Sequence, residues 1–136
     1  MNIVTTVAFD RKDKFIMVPV TVKKGDEILE LRFAVDTGAN ITLIDSDVML
    51  EMGYTSANSI GTTHTLTASK TETVYEFKID NIMALGLIRR NFKVISRYLP
   101  LGLGIDGLLG INFFRNQELT IDFKKSEIRI NNLISK

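Results

Sequence analysis

The residues best equipped for chemistry lie in the segment Phe33-Ala34-Val35-Asp36-Thr37-Gly38-Ala39-Asn40-Ile41-Thr42-Leu43-Ile44. A carboxylate, Asp36, stands where an apolar run ends, and a hydroxyl, a glycine and a small residue follow it. The run fixes the carboxylate in an apolar setting. Gly38 lets the backbone turn so that amide groups reach that carboxylate. Thr37 supplies a short hydroxyl for a buried hydrogen bond. Asp and Gly are ordinary turn residues, so the bare triplet says little; the apolar flanks and the following Thr42 give it weight. Competing chemistries are excluded by composition. The chain has no cysteine, hence no thiol nucleophile, thiolate metal site or disulfide. Its single histidine, His64, rules out a multi-histidine metal cage and argues against a histidine-dependent triad.

Positioning such a carboxylate requires strands, and the sequence is rich in them. Of 136 residues, 38 are Ile, Val or Thr, whose stiff side chains suit pleated surfaces. Ile16, Val18, Val20 and Val22 share one face of a strand, and Leu29, Leu31, Phe33 and Val35 share a face of the next. The polar turn Lys23–Glu27 joins them as a hairpin that runs into Asp36. Ile41–Ile44 reads as a short strand, followed by a helix that Ser46 caps and Gly53 ends. Thr62–Thr67 and Thr71–Ile79 form a second hairpin with Ala68, Ser69 and Lys70 near its tip. Arg89–Ser96 is a strand, Arg97–Ile105 an apolar loop, and Gly107–Gly110 a short buried strand. Ile111–Asn116 reads as one or two helical turns, and Leu119–Phe123 with Ile128–Ile130 as a closing hairpin. With no repeat and no linker, residues 1–136 are expected to form one mostly-β domain, closed and barrel-like, with one or two short helices.

Charge and hydropathy narrow the function classes. Seventeen basic and sixteen acidic residues leave a net charge of +1, with no basic excess to suggest nucleic acid. No run reaches the ~18 apolar residues of a membrane span. The N-terminus lacks a basic region ahead of an apolar run, so it does not read as a signal peptide. These features, with the absence of cysteine, lead to the expectation of a cytoplasmic protein. Nothing in the pattern calls for a metal or a cofactor.

A second segment completes a pair of motifs. Leu108-Leu109-Gly110 followed by Ile111-Asn112-Phe113-Phe114 stands about seventy residues after the Asp-Thr-Gly-Ala run. In order and separation the two resemble the signatures of the retropepsin-like aspartic proteases, which include retroviral proteases and small bacterial relatives. The resemblance spans Ile16 to Ile130, and it implies the acid protease fold with one lobe per chain. It further implies that Asp36 is the catalytic carboxylate, that Thr37 bonds across to its twin in a second chain, and that Gly38 orients the carboxylate. Ala39 and Asn40 would then contact substrate. Ala68, Ser69 and Lys70 would form a flap over it, and Leu101 and Leu103 would wall its pockets. The chemistry needs two carboxylates sharing a proton to activate a water against a peptide carbonyl. The chain has one Asp-Thr-Gly, and Asp106 lacks the pattern, so the resemblance implies a homodimer acting on a peptide or protein. The closing hairpin would add to the dimer interface.

Some positions depart from the retroviral pattern or carry plainer readings. Asn40 and Ile111 stand where retroviral proteases usually carry a pairing acidic residue and arginine, so the dimer contacts must be built differently. His64 reads as a surface strand residue. Lys70 reads as solvated or as a substrate contact, and the Leu99–Ile105 loop as core, dimer contact or pocket wall. Ile128 and Ile130 read as core or interface. The alternative to an aspartic endopeptidase is an inactive dimerisation or peptide-binding module on the same fold.

Overall fold

The structure is a computed structural model that describes residues 2–66 and 70–133. Strand makes up 56% and helix 7%, which settles the class as mostly β. In chain order the strands are β1 (Asn2–Ala8), β2 (Met17–Lys24), β3 (Glu27–Val35), β4 (Leu43–Asp45), β5 (Gly61–Leu66), β6 (Thr71–Ala84), β7 (Leu87–Arg97), β8 (Gly107–Leu109), β9 (Glu118–Asp122) and β10 (Glu127–Leu133). One helix, α1 (Ser46–Glu51), follows β4, and a 3-10 turn spans Ser56–Asn58.

The large sheet runs β2-β3-β8-β4-β7-β6-β5, and β2 also pairs with β6. That extra pairing closes six strands into a barrel and leaves β5 outside the ring as an edge. The expected first hairpin is present as β2–β3, with Val18 opposite Phe33 and Gly25 at positive φ in its turn. Val18, Val20, Val22 and Phe33 point into the barrel and are buried, with Ile44, Ile79, Ile82, Val94 and Leu109. Burying such side chains contributes about 1.5–3 kcal/mol each relative to exposure. The barrel is therefore the rigid frame for whatever its strand ends carry.

Several local expectations shift. The strand after the Asp-Thr-Gly segment begins at Leu43 rather than Ile41; before it, the Ala39 carbonyl accepts the Ile111 amide and the Thr42 amide donates to the Asn112 side chain. Asp45, not Ser46, caps α1: its carboxylate accepts from the Asp47 amide at 2.8 Å. Strands β6 and β7 extend to a two-residue turn, Leu85-Gly86, both at positive φ. Such a turn matches the twist of the flanking strands, but Ala-Leu-Gly-Leu lacks the usual Asn-Gly signal. Residues 111–116 form turns, not a helix. The Arg89 guanidinium donates to the carbonyls of Phe113 and Arg115 at 2.7–2.9 Å, in addition to the i to i+3 main-chain bonds of these turns.

A three-stranded sheet, β1-β10-β9, lies against the barrel. Strand β1 was not foreseen from the sequence. It pairs with β10 over seven residues, from Asn2–Leu133 to Ala8–Glu127. β10 is thus flanked within one chain by β1 along its length and by β9 over residues 127–131, and Ile128 and Ile130 belong to the core. The open edges of this sheet are those of β1 and β9.

Candidate active site

Asp36 sits one residue beyond the end of β3, and its amide donates to the Leu109 carbonyl of β8 at 2.9 Å. This bond extends the parallel β3–β8 pairing past the last strand residue and fixes where the chain leaves the barrel. The chain then turns: the Gly38 amide donates to the Asp36 carboxylate at 3.0 Å, and the Ala39 amide to the Asp36 carbonyl at 3.2 Å. A β-carbon on Gly38 would stand 3.2 Å from the carboxylate oxygen, so a larger residue crowds the group it must orient. Asp36 is half-buried, while Thr37 and Gly38 are exposed at the surface of the single chain.

Beneath this turn the two signatures are joined by side-chain hydrogen bonds. Thr42 is fully buried, and its hydroxyl accepts from the Gly110 amide at 3.1 Å and donates to Asn112 Oδ1 at 2.8 Å. The same Asn112 oxygen accepts the Thr42 amide at 2.8 Å, and the Asn112 amide group donates to the Lys93 carbonyl at 2.9 Å. Ile111 donates its amide to the Ala39 carbonyl at 2.8 Å. Main chain thus joins the two loops where Asn40 and Ile111 replace a charged pair. Gly110 has no room for a side chain, since a β-carbon would come within 2.8 Å of the Ala39 and Ile41 carbonyl oxygens.

Two clefts meet at Asp36. One, of about 500 Å³, runs under β5 and is lined by Gly38, Ala39, Asn40, Thr63, His64, Thr65, Ile95 and Arg97 among others. The second, of about 390 Å³, is apolar and is walled by Phe15, Val35, Leu99, Leu103, Ile105 and Leu108. Asp36 is the one carboxylate among the described residues that line either cleft. Asp106 serves the frame instead: its carboxylate accepts the Arg32 amide at 2.9 Å, and its own amide and carbonyl bond Arg32 and Asp45.

Of the residues singled out in the sequence, the fold brings Asp36, Gly38, Ala39, Asn40 and Leu103 to these clefts. Thr37 is exposed beside them. Leu101 is 97% exposed and lines neither cleft. Lys70 lies 3.7 Å from Glu72 in a separate groove with Tyr75 and Tyr98. Ala68 and Ser69 lie outside the described residues. His64 is exposed on a strand as expected, with its ring bonded to the facing Thr73 at 3.2 Å, yet it also borders the cleft. Thr63, Thr65, Arg97 and Phe15 were not foreseen as cleft residues. For Thr63 and Thr65, the period of two along β5 was the available signal.

Comparison with known proteins follows the same lines. A family model described as an aspartyl protease matches residues 18–113. No curated protein matches the chain. Among solved structures, the chain is similar to a retropepsin-like aspartic protease from Rickettsia conorii. The TM-score is 0.71 at 19% identity, covering 96% of this chain and 93% of that one. At that identity the likeness is one of fold. Among the described residues, no cluster of His, Cys, Asp and Glu could hold a metal, and no helix is long and apolar enough to cross a membrane.

Proposed function

This chain belongs to the aspartyl protease family and has the retropepsin-like fold; from that premise we propose that it hydrolyses peptide bonds as a homodimer, with one Asp36 from each copy. The observation that carries the reading is the isolation of Asp36. It is held at a strand end by the Gly38 amide, opens to two clefts, and has no second carboxylate beside it among the described lining residues. Aspartic peptidase chemistry needs two carboxylates about 3 Å apart that share one proton. A two-fold axis beside the exposed Thr37-Gly38 surface supplies the second.

In this arrangement the ionised carboxylate takes a proton from a water as that water attacks the peptide carbonyl carbon. The protonated carboxylate gives its proton to the carbonyl oxygen. Collapse of the tetrahedral intermediate then breaks the C–N bond, with a proton delivered to the leaving amine. The substrate lies extended along the two clefts, its main chain hydrogen-bonded and its side chains pointing alternately to either side. The apolar cleft around Leu103 and Phe15 receives a large apolar side chain next to the bond that is cut. A maintained Asp-Thr-Gly turn favours catalysis over passive peptide binding, because buried carboxylate pairs are costly to hold.

The test is incubation with a random peptide library, reading cleavage products by mass spectrometry. Wild type is expected to cut within extended peptides, and Asp36→Asn to leave them intact. Cleavage that survives Asp36→Asn contradicts the reading.

A further inference from the structure

The connection between β1 and β2 carries Lys12, Asp13, Lys14 and Phe15. Together with Arg32 of β3 and Leu103 of the apolar loop, these residues wall a cavity of about 480 Å³. Phe15 and Leu103 are also walls of the apolar cleft that contains Asp36, whereas Asp36 does not line this cavity. The cavity therefore continues the apolar cleft outward, away from the carboxylate. Its charges do not balance. Three cations, Lys12, Lys14 and Arg32, stand against one carboxylate, Asp13. Arg32 meets Asp13 only at 4.0 Å, with both side chains exposed. Neither lysine ammonium has an ion-pair partner among the described residues. Two further carboxylates nearby are held elsewhere: Asp10 accepts the Lys12 amide and Asp106 the Arg32 amide, each at 2.9 Å, and neither lines the cavity. The groove around Lys70 differs, because Lys70 and Arg97 there both lie within 3.7 Å of Glu72. A recess lined by unneutralised charge of one sign concentrates the field of that charge on whatever enters it.

Resting on the peptidase reading, we propose that Lys12, Lys14 and Arg32 form a specificity subsite for an acidic side chain, Asp or Glu, two positions outward from the large apolar residue next to the bond that is cut. Alternate side chains of an extended peptide fall on the same side, about 7 Å apart. A peptide with one side chain in the apolar cleft thus places the side chain two positions along over the adjoining cavity. Lysine ammoniums are point charges on flexible stems, so they read charge rather than shape, and Asp and Glu are both accepted. These cations select among peptides and do not touch the reacting atoms. In the proposed dimer each copy carries such a cavity, so the preference applies on either side of the cut bond.

The experiment uses matched peptides built on a sequence that wild type cleaves, with Glu, Gln or Lys two residues outward from the large apolar side chain, and Asp36→Asn as the control. At low salt, wild type is expected to cleave the Glu peptide with kcat/KM about fivefold above the Gln peptide, and the Lys peptide less well than either. At about 1 M salt, where the screening length is about 3 Å, the difference is expected to vanish. The double charge reversal Lys12→Glu, Lys14→Glu is expected to remove the preference for Glu and to favour the Lys peptide. Each ratio is taken within one enzyme, so a loss of folded protein or of dimer cancels. Equal rates on the three peptides in wild type overturn the proposal, as does an order that the double variant leaves unchanged. Absence of Asp36-dependent cleavage overturns the peptidase reading and this proposal with it. Asp36-dependent cleavage without a charge preference overturns this proposal alone.

Discussion

The buried hydroxyl of Thr42 accepts the amide proton of Gly110 at 3.1 Å across 68 residues of sequence. It ties the loop that carries Asp36 to the strand end at Leu109, whose carbonyl holds the Asp36 amide. Both capacities of the hydroxyl are used, since it also donates to Asn112.

Thr42→Val preserves the shape and removes that hydroxyl. The Gly110 amide is left buried and unpaired, at a cost of about 1–3 kcal/mol. Urea denaturation is expected to show this loss, with Thr42→Ser closer to wild type. Peptidase activity should fall further than stability alone requires, because the displaced loop carries Asp36.

Gly110→Ala pushes a methyl group against the Ala39 and Ile41 main chain, which has no flexible end to yield. Overpacking of this kind costs about 1–3 kcal/mol and occasionally more. A lower melting temperature is the expected outcome, with reduced activity in whatever folds. A wild-type melting curve would show that the contact between the two loops is looser than the distances imply.

Thr37→Val tests the surface at which the proposed dimer would meet. In the proposed dimer, each Thr37 hydroxyl is expected to bond the opposite chain, so its loss occurs twice at one interface. Dimer affinity should fall by at least about tenfold, the equivalent of 1.4 kcal/mol. Sedimentation across a dilution series measures it, and the monomer fold should be unaffected because Thr37 is exposed in the single chain.

The β9–β10 turn carries a pH dependence. The Lys125 amide holds the Asp122 carboxyl below the usual carboxylate range, against an opposing effect of burial; the Lys124 amide and Arg129 add to the lowering. A carboxyl depressed in the folded state stabilises above its unfolded value, about 3.9, and that contribution vanishes as pH falls through the folded value. Asp122→Ala should therefore lower the melting temperature at neutral pH. The gap to wild type should close at strongly acid pH.

The sequence shows the barrel and the carboxylate because both are written in local pattern. The alternation Val18-Val20-Val22 against Leu31-Phe33 fixes the first hairpin, and the apolar flanks of Asp36 mark a strand end. What escaped it depends on contacts remote in sequence. Strand β1 is polar at three of its seven positions and is defined by β10, about 125 residues away. The turns at 111–116 are tied down by Arg89, whose side chain reaches their carbonyls from 24 and 26 residues away. Asn112 lay in plain view within a motif, but its bond to Thr42 is visible only once the two loops meet. Leu101 and Leu103 look alike in sequence, and only the fold of their loop makes Leu103 a wall of the cleft that contains Asp36 while Leu101 stands almost wholly in solvent.

The shared site is tested most directly by mixing wild type with Asp36→Asn under conditions of free subunit exchange, at constant total protein, and measuring peptide cleavage. If each active unit needs two intact Asp36 carboxylates, activity follows the square of the wild-type fraction, so that an equal mixture retains about a quarter of the wild-type rate. Activity in simple proportion to the wild-type fraction, about half in the same mixture, would contradict a site shared between two copies.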